Sequence, residues 1–126
     1  MNIPKNLKYT KSHEWVRAEG NVAIVGITDH AQHEMTDVVY VETPAVGSRV
    51  EAEKECAVVE SVKAASDVYA PVSGDVVAVN EELDSAPELL NEDPYGKGWI
   101  FQVKMSDPGE LNELLSPDDY AHHIGA

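Results

Sequence analysis

Cysteine, long hydrophobic runs and basic side chains are all scarce in this chain. Only one of its 126 residues is a cysteine, Cys56, so an internal disulfide is excluded and a reducing compartment is favoured. No apolar run approaches the roughly 20 residues that a helix needs to cross a bilayer. Residues 1–11 have neither an apolar signal core nor an arginine-rich transit pattern. A cytoplasmic protein with no membrane partner is therefore expected, with Cys56 packed as a small core residue.

The shortage of basic residues gives the chain a strong negative charge. Nine lysines and arginines stand against 23 aspartates and glutamates, for a formal net charge of −14. Such a surface repels phosphate backbones and anionic lipids, which makes nucleic acid a poor partner. The same charge could steer the protein toward basic patches on other proteins or could simply keep it soluble, and composition does not separate these two interpretations.

Recognisable catalytic machinery is also missing. The chain has no glycine-rich phosphate loop, no paired-cysteine metal spacing and no nucleophile elbow, so these motifs indicate no enzyme class. His30 and His33 are three residues apart and Glu34 follows them, but no further strong ligand is nearby in the sequence, and a solvated helix face with no metal is predicted instead. His122 and His123 lie near the end of the sequence and are expected to be disordered.

Short β-branched runs separated by turn residues indicate a mainly β domain. The predicted strands cover residues 13–17, 22–27, 38–41, 55–61, 67–70, 75–80 and 99–104. Helices are predicted from Thr28 or Asp29 to about Met35, within 81–91, and from Asp107 through leucines 111, 114 and 115 on one face. Ser116 can cap one further turn. A loose echo between residues 46–50 and 72–76 suggests two similar halves.

Lys63 is the most unusual residue, because it is the only basic side chain between residues 55 and 92. It is predicted to lie in a four-residue turn between two strands, with small neighbours on its C-terminal side. A turn projects a side chain into solvent, where the active site of another protein can reach it. The pattern suits a lysine that is acylated after synthesis, although composition alone favours an ordinary exposed lysine.

The residues around Lys63 resemble the lipoyl-lysine motif of the glycine cleavage H-protein family. Further blocks that are similar to the family follow one another in order, at residues 9–16, 25–32, 61–74 and 87–99. The sequence departs from the family at Met35-Thr36-Asp37, where Leu-Gly-Asp is usual, and at Thr43, where leucine is common. Both departures lie between the first helix and the next strand, away from the lysine turn.

This resemblance implies a fold as well as a site. The expected fold is a small β-sandwich or barrel-sandwich hybrid of the lipoyl-domain type, with short helices that include one at the C-terminus. Residues 1–126 would form a single lipoyl-carrier domain, with a lipoyl-binding core at about 22–104 and a helical segment at about 107–121. Lipoic acid would be amide-linked to Lys63, and the attaching enzyme would recognise the turn through Glu60, Ser61, Val62 and Ala64.

The function implied by the resemblance is that of a non-catalytic carrier protein. It would take the aminomethyl group of glycine from glycine decarboxylase, a pyridoxal phosphate enzyme, to a folate-dependent aminomethyltransferase. Dihydrolipoyl dehydrogenase, a flavoenzyme, would reoxidise the carrier, and a lipoate ligase or an octanoyl or lipoyl transferase would attach the cofactor. A monomer is expected. The alternatives are a lipoate relay for other lipoyl domains, a biotinyl carrier, which usually has methionines beside the lysine, and an unmodified acidic interaction domain.

An aminomethyl group bound through sulfur loses its amine in water, so a carrier needs a place that excludes water. Because the amine is cationic near neutral pH, carboxylates and hydroxyls should line that place. Ser12, Glu14 and Asp67 could supply those groups, and Ala31 and Ala64 could supply small walls. The alternatives are that Ser12 and Asp67 only satisfy turns and that Glu14 is an exposed strand residue.

Overall fold

The computed structural model describes residues 1–126, in which short strands dominate and the helices are brief. The strands are β1 (Lys8–Tyr9), β2 (Glu14–Glu19), β3 (Val22–Ile27), β4 (Val38–Glu42), β5 (Arg49–Val50), β6 (Glu55–Ser61), β7 (Ala65–Tyr69), β8 (Gly74–Val79) and β9 (Phe101–Met105). The α-helices are α1 (Asp29–Met35), α2 (Leu89–Glu92) and α3 (Pro117–His123), and two 3₁₀ helices cover Glu81–Asp84 and Pro108–Glu113. No helix is long and apolar enough to span a membrane.

The strands form two antiparallel sheets. One sheet has the order β1-β2-β3-β9-β8-β5, and the other has the order β4-β6-β7. A single buried apolar cluster contains side chains from both sheets, among them Val25, Val59 and Val103. Two sheets that bury a shared core between them define a sandwich. The predicted mainly β class with short helices, one of them at the C-terminus, is therefore confirmed.

Strand β3 is buried along nearly its whole length because both of its faces are covered. Val25 and Ile27 point into the core between the sheets, whereas Ile24 belongs to a second, smaller cluster with Trp15. Gly26 faces the Trp15 indole, and a Cβ at this position would lie 2.6 Å from Trp15 Nε1. The absence of a side chain at Gly26 thus lets the indole pack directly on the strand.

The second cluster joins the two ends of the chain. Tyr9 and Tyr120 stack in it with their ring centroids 4.7 Å apart and their planes within 10° of parallel. Both side chains are fully buried. The predicted disorder of His122 and His123 is wrong, because Tyr120 anchors α3 and His123 Nε2 donates to the Lys11 carbonyl at 3.1 Å.

The segment after Asp107 is a 3₁₀ helix and not the predicted α-helix. It ends before Leu114 because Leu115 and Tyr9 exchange two backbone hydrogen bonds of 2.9 and 2.7 Å, which hold this part of the chain extended. Leu111 and Leu114 pack against the main core, whereas Leu115 packs against the second cluster. The three leucines therefore do not share a face, although the further helical turn predicted after Ser116 is present as α3.

The two segments of the sequence echo pair with each other. Arg49 lies opposite Asp75 in the register of β5 and β8. Gly47 N donates to Val76 O at 2.8 Å, and Val76 N donates to Ser48 O at 2.9 Å. The echo therefore corresponds to a real pairing, although β5 was too short for its pattern to predict a strand.

Cys56 lies half-buried against the main core, close to its predicted role. Burial, with a smaller contribution from the charge of Glu14, raises the pKa of its thiol to about 12. The thiol therefore stays protonated and acts as an apolar group.

Candidate functional site

Lys63 lies in the tight turn that connects β6 to β7, where the sequence predicted it. The two strands pair up to Glu60 opposite Ala65. Ser61 closes the turn: its amide donates to Ala64 O at 2.8 Å, and its hydroxyl accepts from Ala64 N at 3.2 Å and from Lys63 N at 3.3 Å. A serine whose hydroxyl accepts from the amides two and three residues ahead replaces the ladder bonds that the turn lacks. The position of Lys63 is thus set by local hydrogen bonds.

The side chain of Lys63 is exposed and unpaired. The ion pairs of the chain, Arg17–Glu19 and His30–Glu34, lie elsewhere. Glu60, Val62 and Ala64 are exposed as well, and Val62 exposes 66% of its surface. Because no carboxylate holds the amine and no side chain covers it, an enzyme can enclose Lys63 without first breaking a contact.

A cleft of about 180 Å³ lies between the Ser12–Glu14 segment, helix α1 and strands β6 and β7. It is lined by Ser12, His13, Glu14, Ile27, His30, Ala31, Glu34, Met35, Val59, Ser66, Asp67 and Val68. Four of the five side chains proposed from the sequence for the aminomethyl cleft are in this set, and Ala64 is not. We call this cavity the cleft.

Glu14 is a buried carboxylate that accepts hydrogen bonds from three donor groups. Its side chain is 1% exposed. Oε1 accepts from Thr10 Oγ1 at 2.6 Å and from Ser12 Oγ at 2.5 Å, and Oε2 accepts from Tyr69 N at 3.2 Å. Burial raises the pKa of Glu14, and the hydrogen bonds from Ser12, Thr10 and Tyr69 offset part of this rise. The alternative of an exposed strand residue is therefore wrong.

Ser12 and Asp67 present different polar groups to the cleft. Ser12 is exposed, and its hydroxyl donates to Glu14, so it supports that carboxylate as well as the turn that contains it. Asp67 lies on β7 opposite Val58 and forms no side-chain hydrogen bond within the chain. Asp67 thus does not satisfy a turn, and its carboxylate is free to bind a cation.

Helix α1 forms the wall that contains Ala31. Thr28 caps its N-terminus by accepting from Ala31 N at 3.2 Å. Met35 lines the cleft, so one family departure falls on the cleft wall itself. Thr36 ends the helix with φ 63° and ψ −145°, a region that is essentially restricted to glycine. The same departure therefore places a strained threonine where the resemblance leads us to expect glycine. The other departure, Thr43, follows β4, so its predicted position between the first helix and the next strand is wrong.

Two histidines that line the cleft were missed as site residues. His30 was predicted to lie on a solvated helix face, but its ring lies 4.7 Å from that of His13 and its Nε2 lies 3.3 Å from Glu34 Oε1. No group of three or more His, Cys, Asp or Glu side chains is arranged to hold a metal ion. Sequence spacing could not reveal this pairing, because His13 and His30 come together only through the packing of β2, β3 and α1.

A larger cavity of about 860 Å³ shares Ser12 and Glu14 with the cleft. Four glutamates that the sequence did not single out, Glu51, Glu53, Glu110 and Glu113, also line it. Glu110 is already engaged, since its carboxylate accepts from Ser73 N at 2.7 Å and from Ser73 Oγ at 3.0 Å. The smaller cleft is the better candidate site, because β7 leads into it directly from Lys63.

Comparison with known proteins gives a consistent result. The family model described as "Glycine cleavage H-protein" matches residues 7–125. The chain is 62% identical over 120 residues to the glycine cleavage system H protein of Xanthomonas campestris pv. campestris, covering 94% of this chain and 92% of the relative. It is 58% identical over 118 residues to that of Carboxydothermus hydrogenoformans, covering 94% and 91%.

A solved structure agrees with these sequence matches. The crystal structure of a glycine cleavage system H protein from Mycobacterium marinum aligns with a TM-score of 0.91 at 39% sequence identity. The alignment covers 98% of this chain and 100% of that chain. Sequence and fold are therefore similar to the same group of proteins over nearly the whole length.

Proposed function

The chain belongs to the glycine cleavage H-protein family, and on that premise we propose that lipoic acid is joined by an amide bond to Nζ of Lys63. The role of the protein is that of the lipoyl carrier of the glycine cleavage system. The observation that carries the assignment of Lys63 is an exposed, unpaired lysine in an ordered turn next to the cleft.

The residues around Lys63 fit a lipoyl group. Acylation of the amine removes its charge and supplies a long arm that ends in a strained, redox-active dithiolane. Asp67 follows Lys63 by four residues, of which only Ala65–Asp67 lie in β7, so the two are separated by at most roughly 13 Å at about 3.3 Å per residue. A flexible arm of that order can bring its end to the cleft, so attachment at the turn and protection in the cleft are compatible.

We propose that the cleft shields the aminomethyl cargo from water. The carboxylates of Glu14 and Asp67 attract the cationic amine, and Ser12 adds a hydroxyl. Ala31 leaves room beside α1, and Val59 and Val68 exclude water from the base of the cleft. Ala64, which does not line the cleft, would act only in the turn.

The partners follow from membership of the glycine cleavage system. We propose that the carrier visits glycine decarboxylase, aminomethyltransferase and dihydrolipoyl dehydrogenase as a monomer. A lipoate ligase or an octanoyl or lipoyl transferase would recognise Glu60, Ser61, Val62 and Ala64, a role that the exposure of three of them supports. Residues 1–126 would act as one non-catalytic lipoyl-carrier domain, and the single cysteine supports work in the cytoplasm.

Reconstitution tests the function directly. Lipoylated protein is mixed with the three partner enzymes, glycine, tetrahydrofolate and NAD, and release of carbon dioxide is measured. We expect turnover that depends on the carrier, whereas unlipoylated protein should give none. The relay alternative predicts instead that the lipoyl group is transferred to the lipoyl domain of a 2-oxoacid dehydrogenase. Absence of turnover with lipoylated protein would contradict the proposal.

Glu14→Gln should release the aminomethyl cargo faster. Hydrolysis consumes one water and yields formaldehyde, ammonia and the free thiol, so released formaldehyde measures the loss. Glutamine keeps the size of the side chain and can still accept from Tyr69 N, but it no longer attracts the ammonium group. We expect loss about tenfold faster, in line with a charged hydrogen bond worth about 1.5 kcal/mol.

The matched control is Glu113→Gln, which removes a charge from the wall of the larger cavity and leaves the cleft intact. Equal loss rates for Glu14→Gln and wild type would count against the cleft as the place of protection.

A further inference from the structure

We propose that the hydroxyl of Tyr120, on the C-terminal helix, is the tie that holds two walls of the cleft at their working separation. Tyr120 does not line the cleft, so it would act as a positioning residue. The inference rests on the protective role proposed for the cleft. It assigns to α3 a task in retaining the cargo, beyond that of covering a core.

The Tyr120 hydroxyl contacts two segments that are far apart in the sequence. The side chain is fully buried, and its oxygen lies 2.8 Å from His13 Nδ1 and 2.7 Å from Thr28 Oγ1. Burial raises the pKa of Tyr120 to about 12, so the hydroxyl keeps its proton and can donate. One oxygen thus bridges the segment before β2 and the segment after β3.

The first of these segments carries Ser12 and Glu14, two of the polar groups of the cleft. His13 lies between Ser12 and Glu14, and its φ of 75° places it in the left-handed region that non-glycine residues seldom adopt. A contact that holds His13 in this conformation therefore fixes the direction of its two neighbours. His123 adds a second link from α3, since its Nε2 donates to Lys11 O at 3.1 Å.

The second segment carries the helical wall. Thr28 is fully buried and caps α1, which presents Ala31 and Met35 to the cleft. A backbone hydrogen bond of 3.0 Å from Thr28 N to His13 O already joins the two segments. This bond extends the β2–β3 ladder, in which Glu14 pairs with Ile27, so the two backbones already lie side by side. The ladder does not hold the His13 side chain or the first turn of α1, and the bridge through Tyr120 adds that connection between the two walls.

The hydrogen bonds have a consistent direction when His13 is neutral. Thr28 Oγ1 accepts from Ala31 N, so its own proton is available for the Tyr120 oxygen, and Tyr120 in turn donates to His13 Nδ1. Burial lowers the pKa of His13, and the nearby rings of His30 and His123 lower it further, whereas Glu34 opposes them. The bridge requires neutral His13, and the surroundings of His13 favour this neutral form near neutral pH.

Tyr120→Phe tests the tie, because it removes the hydroxyl and keeps the ring that stacks on Tyr9. In the loaded carrier we expect loss of the aminomethyl cargo about fivefold faster than in wild type, the change that corresponds to one neutral hydrogen bond. Tyr9→Phe is the matched control. Tyr9 is equally buried in the same stack, but its hydroxyl donates to Pro4 O at 2.5 Å and does not contact a cleft wall.

A second readout uses the protein without lipoyl group or cargo. In Tyr120→Phe, hydrogen exchange should accelerate at the amides of Glu14 and Ala31, which report on the two walls, and the pKa of His13 followed by NMR should change. Amides of β9, such as that of Val103, should exchange as in wild type. Uniform acceleration across the chain would show that the hydroxyl serves only global stability, and the proposed tie would then be wrong.

The double variant separates this inference from the proposed function. If Tyr120 acts through Glu14, adding Tyr120→Phe to Glu14→Gln should cause little further loss of cargo. If Glu14→Gln loses cargo quickly while Tyr120→Phe behaves as Tyr9→Phe does, the tie is wrong and the protective cleft stands. If Glu14→Gln itself behaves as wild type does, the protective cleft fails and the tie fails with it.

Discussion

We expect Lys63→Arg to leave the protein folded but without its lipoyl group, and glycine turnover in the reconstituted system to fall to background. Arginine keeps a positive charge at the turn, but its guanidinium stays protonated at any physiological pH and offers no free amine for acylation. Folding should be unaffected because the Lys63 side chain is exposed and forms no ion pair. Intact mass after incubation with a lipoate ligase, lipoate and ATP measures the modification.

The control for this substitution is Lys54→Arg. Lys54 is also exposed and lies just before β6, on the same hairpin but at the end away from the turn. It should acquire the full lipoyl increment and support turnover as wild type does. A lipoyl increment that persists in Lys63→Arg would place the attachment on another lysine, and peptide mapping would then identify it.

The elements with strong local patterns could be predicted from the sequence. Strands β3 and β6 and helix α1 have the predicted bounds, because turn residues or a capping threonine mark where each begins or ends. Lys63 falls in the predicted turn for the same reason. These features depend on neighbours in the sequence, which is the information that a pattern contains.

The remaining features depend on contacts between distant segments. Leu115 is extended because it pairs with Tyr9, and His123 is ordered because Tyr120 is buried, and neither cause is visible near these residues. The burial of Glu14 likewise requires Thr10 and the Tyr69 amide to surround it. The family resemblance selected Ser12, Glu14, Ala31 and Asp67, and the fold brings them around one cleft. Their role toward the cargo remains a prediction.

Among glycine-to-alanine substitutions after residue 70, Gly74→Ala should destabilise the fold most. Gly74 has φ 157°, and a Cβ at this position would lie 2.0 Å from Lys104 O and 2.8 Å from Val103 Cγ1. Backbone oxygen cannot move away without breaking the pairing of β8 with β9. We expect the free energy of unfolding in urea to fall by about 4 kcal/mol, the range of severe core clashes and backbone strain.

Gly47→Ala separates the clash from the effect of backbone conformation. Gly47 has φ 90°, but a Cβ there meets no atom within 4 Å, so only the conformational penalty remains, about 1 kcal/mol. The two glycines lie on the paired segments of the sequence echo, where β5 meets β8. If both variants lost the same amount of stability, the contact with Lys104 O would not be limiting. A much larger loss for Gly74→Ala would show that the pairing of β8 with β9 leaves no room for a side chain at position 74, although every other residue of β8 carries one.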